Sequence, residues 1–171
     1  MSNDDRIEAY AEAMFDVASA EGTLEEVEDE LFRFARALEG SDQLLEALTD
    51  PHIPASRRQQ IVEDLLGPRA TPVTTALISM VVGIGRGRDL PTIIDSLVKK
   101  SAASHDKAVA EVRTAVELDE QQRVRLARAI EHATGKSIEL KVIIDPSVLG
   151  GVVATVGDTV IDGSVRTAWL N

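Results

Sequence analysis

The hydrophobic period of this chain changes once, near residue 106, and that change constrains the fold more than any other feature. Before it, apolar residues recur at spacings of three and four; after it, they alternate with polar ones. The first rhythm draws a stripe along an α-helix, and the second places every other side chain on one face of a strand. The chain is therefore expected to be α+β, mainly α: an N-terminal six-helix bundle over 1–105, followed by a small α+β module over 106–171. The boundary is expected near Ser104 to Lys107.

The helical stripes have legible ends. Ile7, Tyr10, Ala11, Met14 and Ala18 form one stripe, with Gly22 as its stop. Leu24, Val27, Leu31, Phe34, Ala35 and Leu38 form a second, closed by Gly40. A short helix fits Gln43 to Leu48 before the turn signal Asp50-Pro51, and a fourth fits Ala55 to Leu66 before Gly67-Pro68, with Ile61, Val62, Leu65 and Leu66 inward. The fifth, Val73 to Ile84, is apolar nearly all round, which suits a helix that is central in a bundle or shares a face with a partner. The sixth starts at Leu90 and carries Ile93, Ile94, Leu97 and Val98.

Beyond Asp106, Ala110, Val112, Thr114 and Val116 alternate with Glu111, Arg113 and Glu117, as in a half-buried strand. A helix from Glu120 turns Leu126, Ala127 and Ile130 inward and stops at Gly135. Ile138 to Ile144 forms a second strand, and Val152 to Val156 with Thr159 to Ile161 flank the hairpin signal Gly157-Asp158. Ser164 is placed to cap a last short helix through Leu170.

Charge narrows the choice of partners. The net charge is −11, and residues 1–50 hold 15 acidic against 3 basic side chains. Such a surface repels phosphate backbones and anionic headgroups, so nucleic acid is not expected as a partner. The start, Met1 to Arg6, is acidic where a secretory signal would be basic and then apolar. The longest uncharged run, Ala70 to Gly85, is shorter than the roughly 20 residues of a spanning helix, so direct membrane insertion is not expected either.

Catalytic chemistry is not evident. Gly135-Lys136-Ser137 resembles the end of a phosphate-binding loop, but that loop needs a glycine where Ile130 stands, and it runs from strand to helix instead of helix to strand. Gly83, Gly85 and Gly87, with Arg86 and Arg88, follow an apolar helix and read as a break between helices, with the arginines free to meet an acidic partner. His52, His105 and His132 are far apart and form no pair with metal-ligand spacing. No catalytic residue, metal ligand or cofactor-binding residue is assigned.

One long string is specific. Asp145 to Arg166, with Gly150, Gly151, Gly157, Asp162 and Ser164 in it, closely resembles the C-terminal signature of the ATP synthase delta subunit family, whose mitochondrial relative is the oligomycin-sensitivity-conferring protein. Tyr10 to Ala18 looks like the first-helix pattern of that family, although Ala9 stands where a basic residue is usual. The resemblance implies a non-catalytic stator subunit of an F-type proton-translocating ATP synthase, peripheral at the cytoplasmic face of the bacterial plasma membrane. It implies that the helical part holds the N-terminal helix of an alpha subunit between the first and fifth helices, through Tyr10, Ala13, Met14, Leu77, Met80, Val81 and Ile84. It implies further that the C-terminal module engages the C-terminal region of the b-subunit peripheral stalk, with the glycines, Asp162 and Ser164 in structural roles on that side. Some relatives are fused to a stalk subunit. The competing expectation is a soluble adaptor of an unrelated pathway, since adaptors also lack active sites.

A protein of this kind is expected neither to bind nor to hydrolyse ATP. Calorimetric titration with Mg-ATP should give no saturable heat; micromolar affinity that disappears in Lys136→Ala would show that the glycine-lysine string is a nucleotide site after all.

Overall fold

A computed structural model describes residues 2–148, 151–157 and 159–161. Among these the element order is α1 (Asn3–Ala20), α2 (Leu24–Glu39), α3 (Asp42–Thr49), α4 (Ala55–Leu66), α5 (Pro72–Gly83), a 3-10 turn (Gly87–Asp89), α6 (Leu90–Ser104), β1 (Ala108–Thr114), α7 (Glu120–Thr134), β2 (Ile138–Ile144), β3 (Val152–Val156) and β4 (Thr159–Ile161). The class is α+β, mainly α. The chain divides into two compact units, Met1–Val98 and Lys99–Asn171, so the division falls inside α6, ahead of the change in hydrophobic period.

In the first unit the stripes read from the sequence become the core. Ile7, Ala11, Met14 and Ala18 of α1 are buried, as are Val27, Leu31, Phe34, Ala35 and Leu38 of α2 and Ile93, Ile94, Leu97 and Val98 of α6. Helix α1 begins with a capping box in which the Ser2 hydroxyl accepts from the Asp5 N–H and the Asp5 carboxylate accepts from the Ser2 N–H. Helix α4 departs from expectation. Only Val62 and Arg58 are buried on it, while Leu65 is 38% exposed. A helix packed mainly against one neighbour, here α5, buries a narrower stripe than one enclosed on several sides.

Two polar anchors hold α5. At its start, Thr71 is extended and its side chain does not cap the helix, and Pro72 occupies the first turn. The cap comes from Glu30 of α2: its carboxylate accepts the Thr71 N–H (3.0 Å) and the hydroxyls of Thr71 (2.8 Å) and Thr74 (2.7 Å). A carboxylate at that point also complements the positive end of the helix dipole. At the other end the Arg58 guanidinium donates to the carbonyls of Ile53 (2.6 Å), Asp50 (3.3 Å) and Val82 (3.5 Å), which ties the link between α3 and α4 to the last turn of α5.

The second unit is built on a four-stranded sheet in the order β2-β1-β3-β4. Strands β1 and β2 are parallel and joined by α7, while β3 is antiparallel to β1 and β4 antiparallel to β3. The core lies between α7 and one face of the sheet: Ala110, Val112, Leu126, Ile130, Ile138, Val142, Val152, Ala154 and Val156. The strand register places Glu111 opposite Lys141 on the other face, and Glu139, Lys141 and Arg113 alternate with the core positions of their strands. Lys141 is nonetheless only 2% exposed, with Glu139 Oε1 3.8 Å from its Nζ.

Helix α7 opens on Asp119, whose carboxylate accepts the Gln122 N–H while the Gln122 side chain accepts the Asp119 N–H. It closes at Gly135, whose φ of 71° is a left-handed conformation that glycine adopts without a Cβ penalty. Gly157 has φ 59° at the turn between β3 and β4 and meets the same requirement. Strand β1 occupies 108–114 instead of the expected 110–116, because both of its ladders stop at Thr114, opposite Ile144 and Val152, and the Thr114 hydroxyl bonds to the Val116 carbonyl. The expected last helix, with Asp162 and Ser164 at its start, lies outside the described residues.

Glu30→Ala is expected to leave the Thr71 N–H without an acceptor, since the two threonine hydroxyls, 3.1 Å apart, can still pair with each other. The loss should be on the order of 2 kcal/mol, as for removal of a charged partner from a partly buried donor. Urea unfolding of the variant checks this; an unchanged midpoint would mean that α5 starts equally well without the carboxylate.

Candidate functional site

Helix α5 has no charged residue, so its environment alone decides which faces are core. Thr74, Leu77, Ile78, Val81 and Val82 are enclosed, whereas Met80 is 42% exposed and Ile84, the residue after the helix, is 53% exposed. The helix ends where Gly83 packs against Gln59: a Cβ there would fall 2.3 Å from the Gln59 side-chain nitrogen. The Arg86 guanidinium then donates to Asp89 Oδ2 and to Asn3 Oδ1, each at 3.1 Å, which brings the start of α1 to the loop that follows α5.

Asn3, Tyr10 and Val17 are seven residues apart and share one flank of α1, with Ala13 beside it. Tyr10 is half-buried, Ala13 is exposed, and Val17 is 45% exposed. The flank of α1 that approaches the end of α5 through Asn3 thus presents Tyr10, Ala13 and Val17, with one charged residue, the exposed Arg6, among them. The acidic residues Glu8, Glu12 and Asp16 fall on its opposite flank, and all are exposed.

Of the seven residues expected at this groove, the structure turns four outward and three inward. Tyr10, Ala13, Met80 and Ile84 reach the surface. Met14 and Val81 are fully enclosed and Leu77 is 5% exposed, so these three fill the bundle core. Sequence periodicity missed Val17, which lies outside the buried stripe and becomes visible only as one of four large apolar side chains exposed among the described residues of this unit, with Leu65, Met80 and Ile84. Met80 and Ile84 also line a hollow of about 760 Å³ between α5 and α4, together with Gln59, Glu63, Ala76 and Ser79 among others.

The remaining motifs have structural explanations. Lys136 is exposed after the helix stop at Gly135, with helix before and strand after. Gly87 is buried against the Leu48 carbonyl in the 3-10 turn, Arg86 is committed to Asn3 and Asp89, and Arg88 is exposed. His52 bonds to Asp50, which holds that carboxyl below its usual range, mainly through the His52 N–H. Among the described residues no group of three or more His, Cys, Asp or Glu is arranged to hold a metal. Of the C-terminal string, Gly151 and Gly157 are described, while Gly150, Asp162 and Ser164 lie outside the described residues.

Known proteins share both the sequence and the fold. The family model of the ATP synthase delta (OSCP) subunit matches residues 7–169. The "ATP synthase subunit delta" of Frankia alni is 45% identical over 93% of this chain and 57% of its own length. The protein of the same name from Streptomyces avermitilis is 41% identical over 94% of this chain and 59% of its own length. This chain thus spans somewhat more than half the length of these curated relatives. A chain in the cryo-EM structure of the Toxoplasma gondii mitochondrial ATP synthase hexamer shares the fold, with a TM-score of 0.54 at 21% identity over 94% of this chain and 91% of that one. With a family match that extends through both units and close relatives on most of its length, the chain belongs to the ATP synthase delta (OSCP) subunit family.

Proposed function

We propose that this chain is a non-catalytic connector of an F-type proton-translocating ATP synthase, linking the alpha/beta catalytic head to the b-subunit peripheral stalk as part of the stator. The family match over residues 7–169 carries this reading. Residues 1–105 bind the head and 106–171 bind the stalk. The N-terminal helix of an alpha subunit lies between α1 and α5, against Tyr10, Ala13, Met80 and Ile84, with Val17 extending the contact by a turn. The exposed parts of Val17, Met80 and Ile84 favour such docking, because covering each removes apolar surface from water and contributes on the order of 1 kcal/mol. The C-terminal region of the b subunit meets the second unit. The protein works at the cytoplasmic face of the bacterial plasma membrane and is held there by the complex; no helix among the described residues is long and apolar enough to cross a membrane. Its task is mechanical, to keep the head from turning with the rotor.

A peptide copying the alpha-subunit N-terminus should become helical on binding, and Ala13→Asp should weaken it sharply. A carboxylate in that desolvated contact costs a few kcal/mol, about 2 or more, if left unpaired. Since Ala13 is exposed, the variant should keep its helical circular dichroism. Equal affinity in the folded variant would place the groove elsewhere. Affinity capture from solubilised membranes should bring other ATP synthase subunits with the chain; their absence would favour an adaptor of an unrelated pathway.

A further inference from the structure

The second unit carries a surface that is exposed among the described residues. Leu126 and Ile130 point α7 at the sheet, which sends Gln121, Val124, Arg125, Arg128 and His132 to the opposite side; all five are exposed. Among the described residues no carboxylate pairs with Arg123, Arg125 or Arg128. The helix has two glutamates of its own: Glu120 in its first turn, and Glu131, whose carboxylate accepts the Ile138 N–H at 2.9 Å. Elsewhere in the chain Arg36, Arg86 and Arg113 each have an acidic partner.

The basic row ends on apolar surface. Among the described residues of this unit four large apolar side chains are exposed: Val116 at 67%, Val124 at 40%, Ile144 at 44% and Val160 at 64%. Three of them gather at one end by topology. Parallel β1 and β2 finish together, Thr114 opposite Ile144; Val116 follows Thr114, and α7 starts from the same end with Val124 in its second turn. Neighbouring Asp145 is held below the usual carboxyl range by the Ser147 hydroxyl and N–H and by Arg113, so that carboxylate is engaged locally.

We infer that the outer face of α7, with Val116 and Ile144 at its foot, docks an acidic amphipathic helix of the stalk partner. The proposal rests on the connector reading for the partner's identity. From Gln121 to His132 the row is 12 residues long and spans roughly 16 Å, which a helix lying alongside matches turn for turn with carboxylates opposite Arg125 and Arg128. Its apolar side covers Val116, Val124 and Ile144. Charge complementarity selects this occupant: Arg125 and Arg128 face outward, and residues 51–171, with 15 basic against 14 acidic side chains, lack the acidity of residues 1–50 that would repel an acidic helix.

The test titrates the full chain with the C-terminal segment of the cognate b subunit, and separately with phosphatidylglycerol vesicles. Binding of the segment should weaken about tenfold or more in Arg125→Glu/Arg128→Glu, and its dependence on salt should flatten. Val116→Asp should weaken it as well, with circular dichroism unchanged in both variants because all three positions are exposed. If the reversed chain binds the segment as tightly as the original, the stalk docks elsewhere and this surface assignment fails while the connector reading stands. If the original chain does not bind the segment at all, the connector reading fails and takes the inference with it. Binding to vesicles that is lost in the reversed chain, with none to the segment, would make the face a membrane contact and overturn the proposal.

Discussion

The carboxylate of Glu30, bonded to the first residues of α5 across 41 positions of sequence, settles how the helical unit is assembled. Helix α5 is apolar around most of its circumference, so it has no polar stripe to select one rotation about its axis. The selection comes from its ends. Glu30 fixes the start by accepting the Thr71 N–H and two hydroxyls, and Arg58 fixes the finish by donating to the Val82 carbonyl. With both ends held, Ile78, Val81 and Val82 face inward and Met80 is left outside. The surface proposed to receive a partner helix is thus a by-product of two polar contacts at the ends of α5.

Those anchors explain what could and could not be read from the residues alone. Helix ends are local events, and Gly22, Asp50-Pro51 and Gly135 mark them because turn and cap geometry depends on a few adjacent residues. Strand β2 was legible for the same reason: its alternation runs from Ile138 to Val142, and apolar residues continue to its end at Ile144. Strand β1 was misplaced by two residues because alternation continues through Val116 in the sequence after the ladder has lost its partners. The inward role given to Leu65 also failed, since periodicity shows that a stripe exists but not how many neighbours close over it.

The candidate groove was half legible. Tyr10, Ala13, Met80 and Ile84 lie at the surface, yet Met14, Leu77 and Val81 carry the same apolar signature and are core. Hydrophobicity cannot separate the two sets on a helix that lacks a polar face. Glu30 carries no sequence signal of its role, because its partners, Thr71 and Thr74, lie beyond two intervening helices and share no pattern with it. Nothing near Arg58 announces a buried guanidinium either. Long-range polar pairs leave no periodic trace.

Lys141 bears on how this molecule avoids its own kind. Strand β2 forms one margin of the sheet and carries Val142, Ile143 and Ile144 in succession, a composition that invites another extended chain to add alongside. The lysine next to them is enclosed on the face away from α7. A slip of one residue would drive its ammonium into the cluster formed by Ala110, Val112, Leu126 and Ile130. The charge therefore permits one alignment of β2 and penalises the shifted pairings through which apolar strands grow into aggregates. A single cation on a margin strand thus acts as a safeguard against growth of the sheet through β2.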